Sequence, residues 1–153
     1  MNVSAGMLLF RESGGRIEVL LAHPGGPFWI GKDEGAWTIP KGAIGEGEAP
    51  LAAARREFEE EMGPVPAGAA VGLDPVKQPG GKLVHAFAMR GDFDAARLKS
   101  NTFTLEWPPR SGRIHSYPEI DRAGWFPLDE ARRKILRGQT PFLSQLEELL
   151  EVS

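Results

Sequence analysis

Three glutamates carry the first chemical signal in the chain: Glu57, Glu60 and Glu61. On a helix, positions i, i+3 and i+4 fall on one face, and three carboxylates held there repel one another unless a cation lies among them. The chain contains no cysteine, which excludes thiolate metal sites, disulfides and cysteine nucleophiles together. A cluster of oxygen ligands without cysteine or paired histidines suits a hard ion, Mg²⁺ or Mn²⁺.

A loop from Gly42 to Glu48, with further glycines at 45 and 47, runs into this acidic segment. Glycines let the backbone come close to a metal ion and to phosphates, so Gly42 joins the three glutamates as a candidate metal-site residue. A divalent ion held in this way can bridge phosphate oxygens, offset charge in the transition state and help activate a water. Arg56 sits one turn from Glu60 and can orient that carboxylate instead of touching substrate. A charge run taken alone is more often a solvated helix face; here the glycine loop and the spacing weigh against that reading.

These residues resemble the Nudix box, GX5EX7REUXEEXGU with U aliphatic. Gly42, Glu48, Arg56, Glu57, Glu60, Glu61 and Gly63 occupy every fixed position, and Phe58 takes the first apolar one. Pro64 stands at the last apolar position, with Val65 beside it, a departure confined to the helix exit. With each residue type at roughly one in fifteen, seven in register arise by chance about once in 10⁸ starting positions.

The resemblance extends beyond the box. The run Trp37 to Gly42 is similar to the approach to the box in Nudix hydrolases that cleave dinucleoside polyphosphates, and it makes Lys41 a candidate phosphate contact. The segment Glu119 to Phe126 is similar to a family segment in which a glutamate precedes a strand ending in Trp-Phe. That resemblance implies that Glu119 completes the metal site or serves as base; one of Glu57, Glu60 and Glu61, or Glu119, takes the proton of the attacking water, and these four with Arg56 form the catalytic set. Lys82, Arg110 and Arg113 are cations in or near loops that could reach a polyphosphate, and Tyr117, with Phe28, Trp29 and Trp107, could stack on a base. His115 is a further cation near these loops. His85 alternates with apolar neighbours and reads as a structural histidine.

The elements that must position these groups are read from periodicity. Val3–Arg11 and Arg16–His23 form a hairpin around Gly14 and Gly15. Residues 24–47 form a long ordered loop with a short strand at Trp37–Ile39. Pro50 and the pair Gly63, Pro64 bound a helix from about Ala49 to Met62, with Leu51, Ala54, Phe58 and Met62 facing the core. Strands follow at Val71–Gln78, Lys82–Met89, Thr102–Trp107 and Gly124–Phe126, then helices at Leu128–Leu136 and Pro141–Leu150. The order fits an α/β protein; the resemblance implies the Nudix α/β/α sandwich, a mixed sheet with the box helix on one side and the C-terminal helices on the other.

The 153 residues suit one domain, 1–153. A net charge of −3 supplies no basic field for duplex nucleic acid, and no apolar run spans a bilayer. A cytoplasmic protein is expected, with Mg²⁺ or Mn²⁺ as cofactor and a small nucleotide-like polyphosphate as partner; a homodimer is left open. The expected reaction is cleavage of a pyrophosphate bond in a nucleoside diphosphate-linked substrate, dinucleoside polyphosphates or nucleoside triphosphates being favoured. The alternative is a nucleotide-sensing or RNA-associated binding module without turnover.

Overall fold

The computed structural model describes residues 3–152; Met1, Asn2 and Ser153 of the expected 1–153 domain lie outside the described residues. Its centre is β1 (Val3–Ser13), in which every residue from Ser4 to Phe10 is buried. Such a continuous run marks a strand covered on both faces. Alternate side chains serve the two faces. Ala5, Met7 and Leu9 enter one apolar cluster with Phe58 and Met62. Leu8 and Phe10 enter another with Phe142, Leu143 and Leu146.

The hairpin forms as expected. Gly14 and Gly15 both have positive φ, 60° and 78°, the two-residue turn geometry that matches strand twist, and they connect β1 to β2 (Arg16–Pro24). The two strands pair only from Phe10↔Val19 to Ser13↔Arg16. Further from the turn, β3 (Lys41–Ala43) takes the same edge of β1, pairing Ser4↔Ala43 and Gly6↔Lys41. The expected strand at Trp37–Ile39 is therefore displaced by a few residues. Trp37 and Thr38 make only isolated bridges, while Pro40 passes its carbonyl to the Met7 amide at 3.1 Å.

The box helix, α1, spans Pro50–Glu61 with proline in its first turn and Met62 as its C-cap. Ala53, Ala54, Phe58 and Met62 are fully buried, and Leu51 packs at the margin of the same cluster. The expected strand at Val71–Gln78 is two shorter ones, β4 (Ala70–Gly72) and β5 (Val76–Lys77), interrupted before Pro75, which lacks the amide a ladder needs. Both pair antiparallel with β6 (Leu83–Arg90), and β6 pairs parallel with β1.

The next expected strand forms as β7 (Thr102–Glu106), but its partner β8 (Ile114–Pro118) was not read from the sequence. The two make a separate two-stranded sheet. In β8 the ring and hydroxyl side chains are almost all exposed, so no apolar alternation marks it. The strand expected at Gly124–Phe126 is longer, β9 (Ile120–Pro127), paired with β2. The chain closes with α2 (Leu128–Lys134) and α3 (Thr140–Val152).

The large sheet runs β4-β6-β1-β2-β9, with β3 added on β1 and β5 on β6. α1 covers one face, and α2 and α3 supply Ala131, Phe142, Leu143 and Leu146 to the other. This is the mixed α/β/α arrangement the sequence implied. Among the described residues no helix is long and apolar enough to cross a membrane.

Candidate active site

α1 and β3 build the site between them. Gly42 lies on β3 opposite Glu57, and a β-carbon added to it would stand 2.0 Å from the Glu57 carboxylate carbon. The glycine is therefore required by space: its φ lies outside the left-handed region. Next to it, the Lys41 amide donates to Glu61 Oε1 at 3.3 Å.

Arg56 ties the loop to the helix. Its Nε and Nη2 hold both oxygens of Glu48 at 2.9 Å, Nη2 also reaches the Ala43 carbonyl at 3.0 Å, and Nη1 lies 2.9 Å from Glu57 Oε1 and 3.2 Å from Glu60 Oε1. The fork geometry of guanidinium suits this paired contact. Arg56, with the Gly45 amide, holds the Glu48 carboxyl down at about 2, so Glu48 stays an anion and anchors Arg56. The expected orientation of Glu60 by Arg56 is present, and it extends to Glu57.

Lys41, Gly42, Glu57, Glu60, Glu61, Lys82 and Glu119 line one cavity of about 400 Å³. Burial, reinforced by Glu57, pushes the Glu61 carboxyl up to about 8. Burial also raises Glu57, against the pull of Arg56. Across from them, burial and then the neighbouring Lys82 ammonium lower Lys41. The cavity thus places crowded carboxylates beside two crowded amines.

Among the described residues, no three acidic, histidine or cysteine side chains converge at ligand distance; Glu57 and Glu60 are each paired with Arg56. The donor set nevertheless fits a hard divalent ion. It consists of carboxylate oxygens, two of them with pKa values raised by burial and by neighbouring carboxylates, a condition that a cation among them relieves. Glu57, Glu60 and Glu61 would hold it, with Gly42 leaving the space.

The structure does not bring Arg110, Arg113 or Tyr117 into this cavity. Arg110, at φ 63°, and Arg113 lie in the exposed connection between β7 and β8. Tyr117 packs near Phe103 and His115 and faces a separate hollow with Pro27 and Ile30. Phe28 and Trp107 meet edge to face, centroids 5.0 Å apart.

Ser4 and Asn101 line the cavity and were missed. Neither stands in a distinctive spacing, so no signal in the sequence singled them out. His23 was also missed: it is fully buried, with Nδ1 2.8 Å from Asp121 and Nε2 2.7 Å from the Lys32 carbonyl, and it fastens the 24–36 loop to β9. His85 is half-buried on β6, opposite Ala5.

The NUDIX domain profile matches residues 1–146. The chain belongs to the Nudix family. With every fixed position of the box filled, it falls among the Nudix pyrophosphohydrolases, a family that generally uses divalent metal ions. No curated protein matches it in sequence. Solved structures resemble it in fold. A C. elegans Ap4A hydrolase in a binary complex is 20% identical over 98% of this chain and 99% of that one, with a TM-score of 0.68. The NUDIX domain of Shewanella oneidensis NrtR complexed with ADP ribose is 18% identical, covering 97% and 87%, with a TM-score of 0.67. A mutT/nudix family protein from Listeria innocua is 20% identical, covering 98% and 94%, with a TM-score of 0.63. These Nudix structures share the sandwich at identities that speak for the fold alone.

Proposed function

We propose that the protein is a Mg²⁺- or Mn²⁺-dependent hydrolase of nucleoside diphosphate-linked compounds, with dinucleoside polyphosphates as favoured substrates. The observation that carries this reading is the single cavity in which Glu57, Glu60, Glu61 and Glu119 face Lys41 and Lys82. Anionic ligands for a cation and cationic ligands for phosphate lie within reach of one polyphosphate.

When bound, the ion would neutralise charge on the reacting phosphoryl group and lower the pKa of an attacking water. The chain's own groups divide the remaining work. Lys41 and Lys82 hold non-bridging phosphate oxygens, and a polyanion between them relieves their mutual repulsion. Arg56, bonded to both, fixes the positions of the Glu57 and Glu60 carboxylates. Glu119 enters from the β8–β9 junction and lines the cavity, with no ion pair among the described residues; in this reading its carboxylate takes the proton of the attacking water. The preference for dinucleoside polyphosphates draws on the Trp37 to Gly42 run and on the C. elegans Ap4A hydrolase among the similar folds.

The test is product analysis on a panel of dinucleoside polyphosphates, nucleoside triphosphates, sugar nucleotides and diphosphoinositol polyphosphates, each with Mg²⁺, with Mn²⁺ and with chelator. Metal-dependent cleavage of a pyrophosphate bond is expected. Binding without turnover across the panel would overturn the reading in favour of a nucleotide-sensing module.

A further inference from the structure

The backbone amide and carbonyl of Glu119 are both hydrogen-bonded, and these bonds lead back to the box helix. Two carbonyls at the C-terminal end of α1, which have no partner within the helix, are met by the segment that follows the 3-10 turn at Ala95–Arg97. The Lys99 amide donates to Met62 O at 3.0 Å and the Asn101 amide to Glu60 O at 2.9 Å. From the same segment, the Asn101 carbonyl accepts the Glu119 amide at 2.8 Å. The Glu119 carbonyl is occupied as well, accepting the Gly25 amide at 2.9 Å.

One side chain completes this clamp. The Ser100 hydroxyl donates to the Asn101 carbonyl at 2.8 Å and accepts the Ile120 amide at 2.9 Å. Its donor is used within its own segment and one of its acceptor sites across the junction to Ile120. The amides on either side of the Glu119 α-carbon are tied to Ser100 and Asn101, and Asn101 is tied to the turn of α1 that carries Glu60. The β7–β8 hairpin leaves and returns at this clamp, since Asn101 precedes β7 and Glu119 follows β8.

We propose that Ser100 is a positioning residue for Glu119: its hydroxyl fixes the Glu119 backbone against the C-terminal turn of α1 and so aims the Glu119 carboxylate at the water attacking in the cavity. This rests on the role of Glu119 proposed above. Ser100 itself does not line the cavity. The other links of the clamp are backbone groups, so the hydroxyl is the link a substitution can remove.

The experiment compares wild type, Ser100→Ala, Ser100→Thr, Glu119→Gln and the double variant Ser100→Ala/Glu119→Gln. Ser100→Ala is expected to lower kcat by about tenfold or more while KM changes little, because a small misplacement of a reacting group is costly in rate. Ser100→Thr, which keeps the hydroxyl, should restore most of that loss. In the Glu119→Gln background, Ser100→Ala should cost almost nothing further. Amide exchange on the metal-free protein supplies a reading independent of turnover: the Ile120 and Glu119 amides should exchange about tenfold faster in Ser100→Ala, with the α1 interior unchanged. Equal losses in both backgrounds, failure of threonine to rescue, or unchanged kcat would overturn the proposal. A wild-type protein without turnover would overturn the hydrolase reading instead. In that case exchange alone decides the clamp, and unchanged exchange at Glu119 and Ile120 overturns it.

Discussion

Gly42 and Glu57 occupy space that cannot be shared with one more carbon, since a β-carbon on Gly42 would lie 2.0 Å from the Glu57 carboxylate. The strand carrying Gly42 pairs regularly with β1, so the backbone does not need glycine here, and the carboxylate does. Gly42→Ala is therefore expected to push Glu57 out of the cavity and lower turnover by about 10² or more, with a shift in melting temperature of only a few degrees. Gly42→Val should be worse in the same sense. A large fall in melting temperature with normal specific activity of the folded fraction would mean that the glycine serves the fold.

Glu60→Gln and Glu61→Gln each remove a charged ligand from the same helix face. Turnover at saturating Mg²⁺ should fall by about 10² or more in each, with folding retained. Circular dichroism and steady-state kinetics on the best substrate check this. Near-normal turnover in both variants would exclude this face as the metal site.

The Glu61 carboxyl, pushed up to about 8 by burial and Glu57, links metal, pH and stability. Its folded pKa lies above the unfolded value near 4.5, so its contribution to stability is fully present below the unfolded pKa and is lost as pH rises through about 8. Metal-free protein should therefore melt on the order of 10 °C lower at about pH 8.5 than at about pH 5. Mg²⁺ should restore most at the higher pH, where it meets the ionised carboxyl. Glu61→Gln should flatten the profile; it also separates this effect from Lys41, whose downward shift acts with the opposite sign. A slope unchanged in Glu61→Gln would assign the pH dependence elsewhere.

Among substrates, diadenosine tetra- to hexaphosphates should show higher kcat/KM than canonical nucleoside triphosphates. A longer polyphosphate can span the Lys41–Lys82 pair in the cavity. Discrimination of this kind lies in differential transition-state binding, so competing kcat/KM values at equal Mg²⁺ are the measurement. A triphosphate or sugar nucleotide that outperforms every dinucleoside polyphosphate would refute the substrate preference and leave the reaction class standing.

The sequence by itself determined the features that depend on neighbouring residues. The i, i+3, i+4 spacing of Glu57, Glu60 and Glu61 is a matter of helix geometry, and Pro50 and Gly63 bound that helix through local backbone preferences, so both were legible without coordinates. The seven fixed residues of the box carried the family for the same reason. Tertiary structure decided what pairing across long separations decides. Lys41 and Lys82 meet because β3 and β6 flank β1, with Lys41 opposite Gly6 and Leu83 opposite Val3. Lys82 thereby enters the cavity, while Arg110, Arg113 and Tyr117, chosen on equal grounds, are carried away on a separate hairpin. Periodicity also cannot reveal β3, three residues long, or β8, whose side chains are mostly exposed. Each exists because another strand offers it hydrogen bonds, and such partners are named by the fold and not by the residues on either side.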